Sequence, residues 1–185
     1  MLTDYNQYAA FIAVMTVFIA VIIILSLLIY VWSSLALMAV FKKARHPQPW
    51  AAWVPYFRDF AFLEVGGQSG WFMFLGLAAS FSTSLAAETV GFRFGVTSLL
   101  AFTVSAAYLV IWIFAIANVN RAFGKNVLGF TIFGVLLPVI WLSVLAWDKS
   151  RFAPAKANGI MLPGRGQTFL EQSKIETPRF AEEKV

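Results

Sequence analysis

From Ala9 to Phe41 the chain carries no charged residue, and Ile, Val, Leu and Phe dominate. As a helix this run would extend about 50 Å, against a hydrocarbon core of about 30 Å. No soluble domain has a use for such an element, so the run sets the class of fold: an all-α, polytopic transmembrane helical bundle. Ser33-Ser34 is where the helix is expected to leave the lipid core. Leu35 to Phe41 then continue near the headgroups, and Lys42, Lys43 and Arg45 stop the run.

Three more apolar runs follow. Trp71 to Ala87 and Phe94 to Ala117 are free of charge, with Glu88 and Arg93 marking the far side between them and Asn118, Asn120, Arg121 and Lys125 marking the exit of the second. The small residues Ala78, Ala79, Ser80, Ser82 and Ser84 permit close helix approach. Val127 to Trp147 is the last run, and Pro138 interrupts it. The membrane domain is therefore residues 1–147, with segments at about 9–41, 71–87, 94–117 and 127–147. Between the first two, residues 50–65 contain Pro55, Arg58, Asp59 and Glu64. Central charges cost about 2.5–3.5 kcal/mol each in a spanning helix, so this piece is expected to be interfacial or re-entrant.

Whether 127–147 crosses decides the side of the tail. Four full crossings divide the fourteen Lys and Arg six against eight, whereas a re-entrant last segment puts thirteen on one side and one on the other. Charge favours re-entry, and length favours crossing. Because exposed turns at depth are costly, the expectation is a crossing kinked at Pro138. The polar residues 148–185 form an extended tail, disordered alone and read as a strap that docks on a partner.

The overall balance fits this class. The 185 residues are 60% hydrophobic and 12% charged, with mean hydropathy +0.76. The net charge of +5 is scattered through short loops and the tail, which fits anionic lipid headgroups and not nucleic acid. Without cysteine, disulfides and thiolate metal sites are excluded, and a single histidine excludes bis-histidine haem, so no cofactor and no metal are expected. The N-terminal stretch lacks Lys and Arg before its long apolar run, which reads as an uncleaved first membrane helix.

Several pieces resemble, in order over residues 25–150, a bacterial membrane-domain family of unknown function that also forms the front part of some signal peptidase I proteins. Lys42-Lys43-Ala44 with Trp50-Ala51-Ala52 is similar to its Lys-Lys-Ala-Gly, Lys-Pro-Gly-Trp-Ala-Ala pattern. Val54-Pro55-Tyr56-Phe57, Leu63-Glu64-Val65-Gly66, Gly70-Trp71, Arg121-Ala122-Phe123-Gly124-Lys125, Gly129-Phe130, Leu137-Pro138 and Asp148-Lys149 continue the match. The chain departs from it at Arg58, where the family has Asn, and at Gln68-Ser69, where it has Lys-Pro. The resemblance implies a bacterial cytoplasmic membrane and no established activity, and the Ser/Lys catalytic domain of signal peptidase I is not expected here.

Arg58, Asp59 and Glu64 are the candidate polar or interaction site, since ionisable groups at membrane depth are functional suspects. Their bland reading is an interfacial helix whose charges face water or pair with each other. His46 reads as a solvated loop residue. Lys42, Lys43, Arg45, Trp50, Trp53, Trp71 and Trp147 read as interfacial anchors. No Ser-His-Asp arrangement is available and no lysine lies in an apolar run, so no catalytic residue is assigned and no enzyme is expected. The expected role is an accessory or scaffold subunit that packs against other membrane-protein subunits of a respiratory or secretory complex. The alternative is a small transporter with its site between segments broken at Pro55 and Pro138, and a weaker third reading is an assembly factor for exported proteins.

Overall fold

The computed structural model describes residues 2–88, 96–154, 159 and 166–172, and among these it is helical with no strand. The helices are α1 (Leu2–Lys43), α2 (Phe57–Val65), α3 (Met73–Glu88), α4 (Val96–Ala122), α5 (Val127–Leu136) and α6 (Pro138–Trp147). Short 3₁₀ turns at Pro49–Trp53 and Gly70–Phe72 precede α2 and α3, and residues 166–172 form a last helical stretch. Arg93, expected on the far side, and most of the tail lie outside the described residues. Two helices, within Phe11–Lys43 and Ser98–Ala122, are long and apolar enough to cross a membrane.

α1 does not end or bend at Ser33-Ser34. Both serines are buried, and the helix runs on to Lys43. Its stop is a turn in which Arg45 takes a left-handed φ of 56° and His46 N–H reaches back to Phe41 O at 3.0 Å. α2 and α4 stop the same way, with Gly67 and Gly124 left-handed and Gln68 N–H to Leu63 O and Lys125 N–H to Asn120 O at 2.8 and 2.9 Å. These six-residue closures satisfy helix-end carbonyls that would otherwise be orphaned.

The stretch expected to be an interfacial or re-entrant helix is a hairpin. From His46 the chain runs back along α1 until Trp53 O accepts from Tyr30 Oη at 2.6 Å, thirteen residues before Lys43 and so about 20 Å down its axis. Pro55 and Tyr56, with φ of 64°, turn the chain, and α2 climbs back to bring Glu64 beside His46.

Residues 127–147, expected to cross with a kink at Pro138, fold back on themselves. α5 and α6 laid end to end would separate their outer ends by about 30 Å. Instead Lys125, just before α5, is ion-paired with Asp148, just after α6. Leu137 (φ −132°, ψ 64°) makes the break, and Pro138 opens α6, where its missing N–H is harmless.

The core lies where these ends meet. Ala36, Val40 and Phe41 of α1, Leu63 and Val65 of α2, Ala115, Ile116 and Val119 of α4, and Trp141 and Leu145 of α6 form one buried cluster. α4 outruns its expected end at Ala117, because Asn118 and Asn120 are fully helical and buried. Asn118 Nδ2 donates to Gly66 O at 2.9 Å, and Asn120 Oδ1 accepts from Trp141 Nε1 at 2.9 Å. Away from this body, α3 packs along α4, while α1 from Phe11 to Ile29 is exposed along its whole length.

Candidate functional site: a buried imidazole and carboxylate at the edge of the body

The α1 stop turns His46 inward, between the rings of Phe41 and Phe169 at 5.5 and 5.3 Å. Only 5% of His46 and 9% of Glu64 is exposed. His46 Nε2 lies 3.3 Å from Glu64 Oε2, and Nδ1 accepts from the Gln48 backbone N–H at 3.2 Å. That second bond assigns the tautomer: a nitrogen that accepts from an amide holds a lone pair, so the ring proton sits on Nε2 and points at the carboxylate. Both nitrogens are thereby engaged, and neither is left as a general base.

Beside the pair is a cavity of about 380 Å³, bounded by His46, Gln48, Glu64, Phe57, Phe60 and Trp71 among others. Its outer wall belongs to a run of rings in contact. Trp50 stacks on Phe57 at 5.6 Å, Phe57 on Phe60 at 5.5 Å, Phe60 meets Trp71 edge-on at 5.9 Å, and Trp71 stacks on Phe74 at 5.6 Å. The arrangement offers one carboxylate, one imidazole and apolar faces, a chemistry suited to holding a group in place.

Of the expected polar trio, only two members meet. Arg58 Nε and Asp59 Oδ1 are 3.7 Å apart on the first turn of α2, and Arg58 lies 5.9 Å from the Tyr30 ring centre. Burial pushes the Asp59 carboxyl up from its ordinary range, and Arg58 opposes the shift. Glu64 is five residues on, about 140° around the helix, and so faces the other way. Its partner is His46, a buried residue and not a solvated one.

The anchors also divide. Trp50, Trp53, Trp71 and Trp147 are exposed, and Trp147 packs on Trp32 at 5.0 Å. Lys42 and Arg45 are exposed as well. Lys43 instead donates to Leu145 O at 2.7 Å and to Asp148 O, capping the C-terminal carbonyls of α6. The described part of the tail packs on its own body: Leu170 is buried against Ala122, and Ala153 N–H bonds Ala122 O at 2.8 Å.

Residues 50–154, more than half of the chain, match a family of unknown function designated DUF5684. The chain belongs to the DUF5684 family. The match takes in both hairpins, α3 and α4, with Arg58, Asp59 and Glu64 inside it, while α1 and His46 precede it. No curated protein and no solved structure matches this DUF5684 chain.

Proposed function

We propose that this DUF5684 protein is a non-catalytic, polytopic protein of the bacterial cytoplasmic membrane that serves as an accessory or scaffold subunit of a larger membrane complex. α1, α3 and α4 are the crossings, and the two hairpins form a body at the cytoplasmic face. Lys42, Lys43, Arg45, Arg121, Lys125, Lys149 and Arg151 gather at that end, which the positive-inside rule assigns to the cytoplasm, while Arg58 lies beside Tyr30 at the tip of the first hairpin.

One observation carries the scaffold reading. Only the last third of α1 packs closely on the body, and from Phe11 to Ile29 every residue of the helix is exposed. A helix that crosses lipid apart from its own bundle offers a full face to the helices of another chain. Transport between the Pro55 and Pro138 bends has less support, because the two broken segments meet through packed rings. Phe62 lies 4.8 Å from Trp112 and 6.1 Å from Trp141.

The test is purification of the full chain in mild detergent, with a photo-crosslinking residue at Ile22 or Leu25. The scaffold reading expects other membrane proteins to co-purify and to crosslink at α1. Recovery as a lone, monodisperse species whose α1 labels only lipid would overturn it.

A further inference from the structure

α4 and α5 run side by side and leave an open groove of about 340 Å³ between them, walled almost wholly by apolar side chains, among them Ile113, Phe114, Ala117, Leu128 and Ile132. Arg121 closes its polar end. Among the described residues the guanidinium makes one hydrogen bond, from Nη1 to Asn118 Oδ1 at 3.1 Å, and no ion pair. Its neighbour Lys125 differs in this respect, being paired with Asp148. An apolar trough ending in a cation that has no ion pair among the described residues complements one class of molecule, an amphiphile with an anionic head. Among the described residues no carboxylate lines this mouth, and a membrane supplies such amphiphiles in quantity. Val127 and Leu128, in the first turn of α5, line the same trough, so the positive end of that helix adds to the field.

We infer that the α4–α5 groove is a binding site for an anionic phospholipid, with an acyl chain along Phe114, Ala117 and Ile132 and the phosphate on Arg121. The inference rests on the membrane placement proposed above and is independent of the scaffold role. Guanidinium suits phosphate because its planar fork can donate two parallel bonds.

The experiment uses the full chain in mild detergent with phosphatidylglycerol or phosphatidylcholine of identical acyl chains, and native mass spectrometry to count retained lipid. Phosphatidylglycerol should be retained about fivefold better, the worth of one well-placed cation. Arg121→Gln should erase that preference, and Lys42→Gln, an exposed cation elsewhere, should keep it. Ala117→Phe, which fills the groove and leaves the bond from Arg121 to Asn118, should reduce retention of both lipids. Equal retention of the two lipids by the unaltered chain, or an Arg121→Gln variant that behaves like Lys42→Gln, would overturn the site. Photoactivatable phosphatidylglycerol on the unaltered chain gives a reading free of any folding defect. Crosslinks within 113–132 are expected, and labelling spread evenly over α1 would count as failure. A chain that stays soluble without detergent would instead sink the membrane placement itself.

Discussion

Gly66 and Gly129 make opposite demands on a methyl group. A Cβ on Gly66 would lie 2.7 Å from Ala115 Cα and Cβ, at the point where the end of α2 rests on α4. Gly66→Ala should therefore cost about 1–3 kcal/mol by overpacking. At Gly129, on the first turn of α5, a Cβ meets nothing within 4 Å, and Gly129→Ala should leave stability unchanged or raise it by up to about 1 kcal/mol. Thermal denaturation in one detergent, comparing the two variants with the parent, reads both signs. His46 and Glu64 give a second prediction at this scale. A double-mutant cycle of His46→Ala and Glu64→Ala should return a coupling of about 1–2 kcal/mol, and additive losses would mean the 3.3 Å contact contributes little. Glu64 could be picked out in the sequence as an ionisable group among apolar ones. His46 could not, because its burial depends on the turn at Arg45, a left-handed position where the resembled pattern has glycine and this chain has a residue that gives no such signal.

At the scale of elements, proline announced the breaks and left their geometry open. Pro55 and Pro138 each interrupt an apolar run, and both do lie at the turn of a hairpin. Whether a proline kinks a helix or reverses the chain depends on what the two flanks bind, and here those partners are distant in sequence. Lys125 reaches the Asp148 side chain and Lys43 reaches the Asp148 carbonyl, which ties the exit of α6 to the ends of α1 and α4. A short bismaleimide should bridge Lys125→Cys to Asp148→Cys in high yield. A crossing would hold them about 30 Å apart and give no product. Acidity should act on the same closure. The hydrogen bond from Lys125 holds the Asp148 carboxyl below its ordinary value of 3.8, so the contact stabilises the fold above that pH and is lost as pH falls through the lower, folded value. Asp148→Asn should remove this acid-sensitive component, as read from thermal denaturation between pH 5 and 2 as order-of-magnitude bounds of the window. The lysine on the Asp148 carbonyl is untouched by either change.

The whole molecule has two unlike ends. One gathers the helix stops, both hairpin mouths, the buried imidazole and carboxylate, and the described basic residues except Arg58, which lies beside Tyr30. Toward the other, the described residues are apolar helix, with α1 exposed from Phe11 to Ile29 and α3 packed on α4. Exposed and half-buried rings lie between them, from Trp50 through Phe57 and Phe60 to Trp71 and from Trp32 to Trp147, as aromatic side chains do where lipid meets water. The apolar runs were legible from their lack of charge, and so was the lopsided count of thirteen cations against one that follows if 127–147 returns. Length alone could not decide that segment, because twenty apolar residues fit a crossing and a hairpin of two ten-residue helices equally well. Labelling in sealed vesicles with a membrane-impermeant maleimide separates the arrangements. Ile22→Cys should resist the reagent from both faces, since it lies midway along a long apolar helix, away from water. Lys42→Cys and Lys149→Cys, at the two ends of the body, should both react from the cytoplasmic face alone. Reaction of Lys149→Cys from the face opposite to Lys42→Cys would require 127–147 to cross, would break the bridge from Lys125 to Asp148, and would return the tail to the other side of the membrane.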